Sequence, residues 1–148
     1  LDGSDNAVID VLDKFHEKGP MNADLPAALT AFNEKDVPSI LNALDGMSGE
    51  WAEKQAANLR KKSPLALSVT FEAIKRGLDL NFKEAMTQEL DLSLNFLKTQ
   101  DFYEGIRAQL IDKDRNPKWS HESVEAVTDE QVDRLFKTTA NPPLKFLD

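Results

Sequence analysis

Cysteine is missing from all 148 residues of this chain, which removes disulfide frameworks, cysteine-ligated zinc and thiol catalysis together. Such a chain suits a reducing compartment. Glycine is scarce as well, with six residues, and no G-x-G-x-x-G, P-loop or nucleophile-elbow frame is built from them. Histidine occurs twice, at His16 and His121, without the H-E-x-x-H spacing of a zinc helix. We read both as surface residues, with His16 in the last turn of a helix, where a cation is mildly favoured. No apolar run approaches the roughly 20 residues of a membrane span, and no signal-peptide pattern opens the chain. Positive charge is in deficit, with 18 Lys and Arg against 26 Asp and Glu, a net charge of -8. That balance repels phosphate backbones and anionic lipid, so neither nucleic acid nor membrane is expected as a partner.

What is present is the composition of a globular domain, 41% hydrophobic and 30% charged, with apolar residues recurring three and four apart. The expectation is all-α. A first helix is predicted over residues 6–17, with Val8, Leu12 and Phe15 on one face and Gly19-Pro20 as its stop. A short second helix covers Leu25 to Phe32. The third starts at Val37, with Val37, Ile40, Leu41 and Leu44 as its stripe, and Gly46 ends it. The fourth follows from Glu50 and turns Trp51, Ala52, Ala56 and Leu59 inward.

Ser63-Pro64 then supplies an N-cap and a proline at the first helical position. The residues after it are ambiguous. Leu65, Leu67, Val69 and Phe71 alternate as in a strand, whereas Leu67, Phe71, Ile74 and Leu78 fit a helix with Gly77 at its end. The capping signal and the length favour helix. Asn81 and Glu84 have capping-box spacing and open the longest element, to about Lys98, with Phe82, Met86, Leu90, Leu94 and Leu97 as its stripe. Asp101 and Glu104 repeat that spacing, with Glu104 as the partner of the capping Asp101, in a helix presenting Tyr103, Ile106 and Leu110. Thr128 and Gln131 cap a last short helix with Val132, Leu135 and Phe136 inward. The tail, with Pro142-Pro143, is expected to fray.

Carboxylate sets at Asp10, Asp13 and Glu17, and at Glu84 with Gln88 and Asp91, read as solvated faces. Lys113, Arg115, Lys118 and Trp119 form the most function-like stretch. Cations there complement a helix C-terminus, or else contact phosphates and an adenine ring. The chain opens at Leu1, with its first methionine at Met21, so upstream sequence is expected.

Two blocks carry a resemblance. Ser63-Pro64-Leu-Ala-Leu through Gly77, and Asp101-Phe-Tyr-Glu-Gly-Ile-Arg-Ala108, resemble the C-terminal part of the crotonase (enoyl-CoA hydratase/isomerase) superfamily. Glu104 to Ala108 with Leu110-Ile-Asp-Lys-Asp114 and Pro117-Lys-Trp119 is similar, more narrowly, to 3-hydroxyisobutyryl-CoA hydrolases. Thr128 to Gln131 and Leu144-Lys-Phe146 fit that group's tail. The match covers residues 63–146, while 1–62 correspond to a variable helical insert.

The resemblance implies a multi-helix C-terminal domain whose α/β core, with its oxyanion hole and acidic pair, lies upstream and is absent from this chain. It implies a short hydroxyacyl-CoA thioester hydrolase of valine catabolism in which this part covers the core, shapes the acyl-CoA pocket and is inactive alone. The alternatives are the same part of an enoyl-CoA hydratase/isomerase, or of a non-catalytic structural relative. Lys113, Arg115, Lys118 and Trp119 are then expected on the coenzyme side, and Asp101, Glu104, Gly105 and Arg107 as structural signature positions. No catalytic residue, metal ligand or cofactor is carried over, coenzyme A entering only as part of the substrate. The expected partners are the upstream core, acyl-CoA and other subunits, in a bacterial cytoplasm or a mitochondrial matrix.

Overall fold

The computed structural model describes residues 24–140 and 142–146, and among them every regular element is helical. The predicted helix over 6–17, with His16 and the Asp10, Asp13 and Glu17 set, lies outside the described residues. The elements are α1 (Leu25–Phe32), α2 (Val37–Gly46), α3 (Glu50–Arg60), α4 (Pro64–Gly77), α5 (Phe82–Phe96), α6 (Gln100–Ile106) and α7 (Asp129–Leu135). A π-helical turn, Arg107–Ile111, continues α6, and a 3-10 turn, Val124–Ala126, precedes α7.

Local hydrogen bonding sets most of the starts. The Asp36 carboxylate accepts from the Ser39 amide at 2.8 Å, and the Ser63 hydroxyl accepts from the Ala66 amide at 3.0 Å. Asn81 and Glu84 exchange bonds of 3.1 and 2.9 Å, and Thr128 and Gln131 form a second capping box. Each arrangement satisfies amides that the first turn leaves unpaired. Gly49 begins α3 at a φ of +124°, a conformation that a side chain would strain.

The core falls into three linked groups. Ala31, Ile40, Leu44, Ala52 and Ala56 join α1, α2 and α3. Leu65, Val69, Leu92, Val132 and Leu135 join α4, α5 and α7. Val37, Leu41 and Val124 form the third, with Leu59, Leu67 and Phe71 against it. Phe71 packs on the first group as well, so α4 is flanked on two sides. That explains its ambiguous sequence: Leu65 and Val69 serve one core, Leu67 and Phe71 the others. The predicted stripe fails beyond Phe71, because Ile74 and Leu78 are 67% and 82% exposed.

The α5 helix is turned away from its predicted orientation, with Leu90 and Leu94 of the expected stripe only half-buried. Phe82, Met86 and Leu97 of the expected inward stripe are 74%, 40% and 44% exposed, while Asp91, Leu92 and Asn95 are buried. Asp91 was expected on a solvated face. Instead its carboxylate accepts from the Thr139 and Ala140 amides at 2.9 and 3.0 Å. Asn95 donates to the Leu135 and Lys137 carbonyls at 2.9 and 2.8 Å and accepts from the Thr139 hydroxyl at 3.0 Å. A segment without regular backbone pairing must find donors and acceptors elsewhere, and these two side chains supply them. The chain is therefore fastened as far as Ala140, just before the Pro142-Pro143 tail. Farther on, the Lys83 ammonium lies 5.6 Å from the Phe146 ring centre.

Candidate functional site

The function-like segment lies where α6 loosens into its π turn and the chain doubles back. Thr99, not Asp101, caps α6, its hydroxyl accepting from the Phe102 amide at 3.3 Å. The cap sits two residues earlier than expected, and this frees Asp101 to turn inward. There it is 4% exposed and accepts from the Ser63 hydroxyl and from the Ser120 amide and hydroxyl, the last two at 2.8 and 2.6 Å. Three donors make this buried carboxylate tolerable. Because Ser63 also caps α4, one cluster ties the start of α4, α6 and the returning loop together.

Glu104 is likewise not the partner of Asp101. It holds Arg107 in a two-pronged pair of 2.9 and 2.8 Å and accepts from the Lys118 amide at 2.6 Å. Arg107 also donates to Asp112 at 2.6 Å, to Asp114 at 2.8 Å and to the Asn116 carbonyl at 3.2 Å. The guanidinium fork suits this many planar acceptors, so one side chain gathers the whole loop. Arg107, then the Lys118 amide, hold the Glu104 carboxyl at about 2, far below its ordinary 4.5. The Asn116 amide and Arg107 lower Asp114, and the surrounding carboxylates raise Arg107. Groups held so firmly ionised are poor proton carriers near neutrality, and the network acts as a clasp.

The expected coenzyme-side residues divide on this frame. Lys113 and Arg115 are exposed and occupy left-handed conformations at φ 57° and 54°. Asp112 and Asp114 beside them are engaged by Arg107, and neither Lys113 nor Arg115 has an ion-pair partner among the described residues. The Lys118 side chain is exposed while its amide is fixed by Glu104. Trp119 is built in: its indole N–H donates to the Lys61 carbonyl at 3.1 Å. Its ring lies 3.5 Å from where a Cβ on Gly105 would stand, an ordinary contact distance. Sequence reasoning missed Ser63 and Ser120 as partners of Asp101, and Asp112 and Asp114 as partners of Arg107. The alternation of Asp112-Lys-Asp-Arg115 carried a signal for the second pair, and nothing local announced the first.

An apolar groove of about 590 Å³ opens between α4 and α5, closed at one end by Phe102 of α6. Val69, Leu92 and Phe96 form its floor against the core, and Ile74, Leu97 and Phe102 line it while remaining 67%, 44% and 36% exposed. Among the described residues no group of three His, Cys, Asp or Glu is placed to hold a metal ion. No helix there is long and apolar enough to cross a membrane.

A family model for enoyl-CoA hydratase/isomerase matches residues 2–136. The chain belongs to the enoyl-CoA hydratase/isomerase family. Mitochondrial 3-hydroxyisobutyryl-CoA hydrolase of Xenopus tropicalis is 38% identical over 146 residues, covering 93% of this chain and 38% of that protein. The namesake of Dictyostelium discoideum is 34% identical over 144 residues, covering 92% and 38%. An enoyl-CoA hydratase structure from Rhodobacter sphaeroides superposes with a TM-score of 0.76 at 30% identity, covering 95% of this chain and 44% of that one. A carnitinyl-CoA dehydratase structure from Mycobacterium thermoresistibile gives 0.77 at 31% identity, covering 93% and 41%. The chain thus spans less than half the length of these relatives. The all-helical architecture of its described residues matches the C-terminal helical region of these crotonase-type proteins.

Proposed function

We propose that this chain is the C-terminal helical part of a short hydroxyacyl-CoA thioester hydrolase, of the 3-hydroxyisobutyryl-CoA hydrolase kind that serves valine catabolism. The observation that carries the assignment is the 38% identity to such an enzyme across nearly the whole chain. The shape supports it. A self-sufficient domain seldom leaves large side chains such as Ile74, Leu78 and Phe82 mostly exposed, whereas a part that packs on a further layer does. On this reading the groove between α4 and α5 receives the α/β core of the same polypeptide. The thioester chemistry, with its oxyanion hole, belongs to that core.

The clasp then has a task. Arg107 and Glu104 fix the loop that carries Lys113, Arg115 and Lys118, so three cations stand in set positions toward the coenzyme phosphates. Trp119 anchors that loop on Gly105 and Lys61. The setting is a mitochondrial matrix in a eukaryote, as the names of the eukaryotic relatives suggest, or a bacterial cytoplasm. Hydrogen exchange compares the 148-residue chain with a longer polypeptide carrying a crotonase core before it. The amides of α4 and α5 are expected to exchange more slowly in the longer form, and unchanged exchange there contradicts the docking.

A further inference from the structure

A smaller cavity, away from the groove, has a character foreign to this acidic chain. It holds about 290 Å³, and Lys98, Arg134, His121 and Gln131 line it between the end of α5, the start of α6 and α7. No Asp or Glu lines it, in a chain with 26 of them. The nearest buried carboxylate, Asp101, binds Ser120 at the rim and is occupied by three donors.

The donors here are uncommitted. Arg134 has no ion-pair partner among the described residues. Lys98 spends one of its three N–H groups on the Asn95 side chain at 3.1 Å. Gln131 turns its oxygen to the Thr128 amide at 2.9 Å, which leaves both of its N–H groups free. His121 Nδ1 is a buried side-chain atom without a hydrogen-bond partner among the described residues, so the chain does not complete its own polar bonding here. Two cations that line one cavity without a counter-charge repel each other, and an anion between them removes that cost.

We infer that the cavity between Lys98, Arg134, His121 and Gln131 is a binding site for a phosphate group. A phosphate dianion matches two cations in charge, and its several acceptor oxygens match the ammonium, guanidinium and amide donors. Free phosphate and a phosphate monoester share that chemistry. The inference stands apart from the proposed thioesterase role, since it rests on neither the clasp nor the groove.

The test is a titration of the isotope-labelled 148-residue chain, followed by NMR at the Arg134 and Gln131 side-chain N–H groups and the His121 ring. Inorganic phosphate and adenosine 3′-monophosphate are the two probes, with chloride at equal ionic strength as the reference. Saturable shifts at these three side chains are expected, and the tighter probe identifies the source of the phosphate. Arg134→Gln and Lys98→Gln, both at exposed positions, are each expected to weaken binding about tenfold, in line with the loss of one charge-assisted contact. Lys54→Gln, which removes an exposed cation outside the cavity, is expected to leave it unchanged. Shifts reproduced by chloride, no saturation, or equal weakening by all three variants would overturn the assignment.

Discussion

At the scale of single residues, the chain invests its strongest polar interactions in holding one loop. Asp101 is the keystone of one half, since its loss strands the Ser63 hydroxyl and the Ser120 amide. Asp101→Ala is expected to cost about 2–4 kcal/mol, as the removal of a buried, charge-assisted acceptor does. Urea unfolding measures it, and a loss under about 0.5 kcal/mol, the level of an ordinary surface change, contradicts the role. Glu104 governs the other half through its ionisation. Its carboxyl is lowered on folding, from 4.5 to about 2. The stability it contributes is therefore complete above pH 4.5 and is lost as pH falls toward 2. Side-chain carboxyl NMR should place its midpoint near 2, and Arg107→Gln should raise it; a midpoint near 4.5 in the parent chain rules the clasp out.

Among the elements, the caps of α4, α5 and α7 and the inward faces of α2, α3 and α7 were legible, whereas the cap of α6 and the facing of α5 were not. Ser63, Asn81 and Thr128 act within three residues of themselves, so a short window of sequence contains the whole interaction. The α5 helix shows the opposite case. Periodicity names the side of a helix that is apolar without saying what it meets, and here Phe82, Met86 and Leu97 stand partly in solvent. Asp91 and Asn95 face inward because the end of α7 and the segment after it need their polar atoms, a demand posed 40 to 49 residues away. Asp101 was misread for the same reason: its partners Ser63 and Ser120 are 38 and 19 residues distant. Substitution along α5 separates the two faces. Leu92→Ala is expected to cost about 2–4 kcal/mol as a buried truncation, while Phe82→Gln should change stability by no more than about 0.5 kcal/mol. Comparable losses at both positions in thermal or urea unfolding contradict the orientation of the helix.

Across the whole molecule, the family was legible because the resemblance was read from residues close together in sequence, within α6 and the loop after it. Glu104, Arg107, Asp112 and Asp114 are close in sequence and build one local structure around a single guanidinium. The function of a complete enzyme was not legible in this span, which corresponds to 38% of the relatives' length. Nucleophiles, bases and oxyanion donors must be mutually positioned to catalyse, and the described residues instead use their carboxylates to fasten backbone. On the proposed reading, the apolar groove and the cationic loop are surfaces offered to the α/β core and the coenzyme.

That claim is tested most directly by following thiol release from 3-hydroxyisobutyryl-CoA. The 148-residue chain alone is expected to give no turnover above the uncatalysed rate. The longer polypeptide with its crotonase core should hydrolyse the thioester, and charge reversal at Lys113 and Arg115 together should raise its KM. Turnover by the 148-residue chain alone would contradict the account.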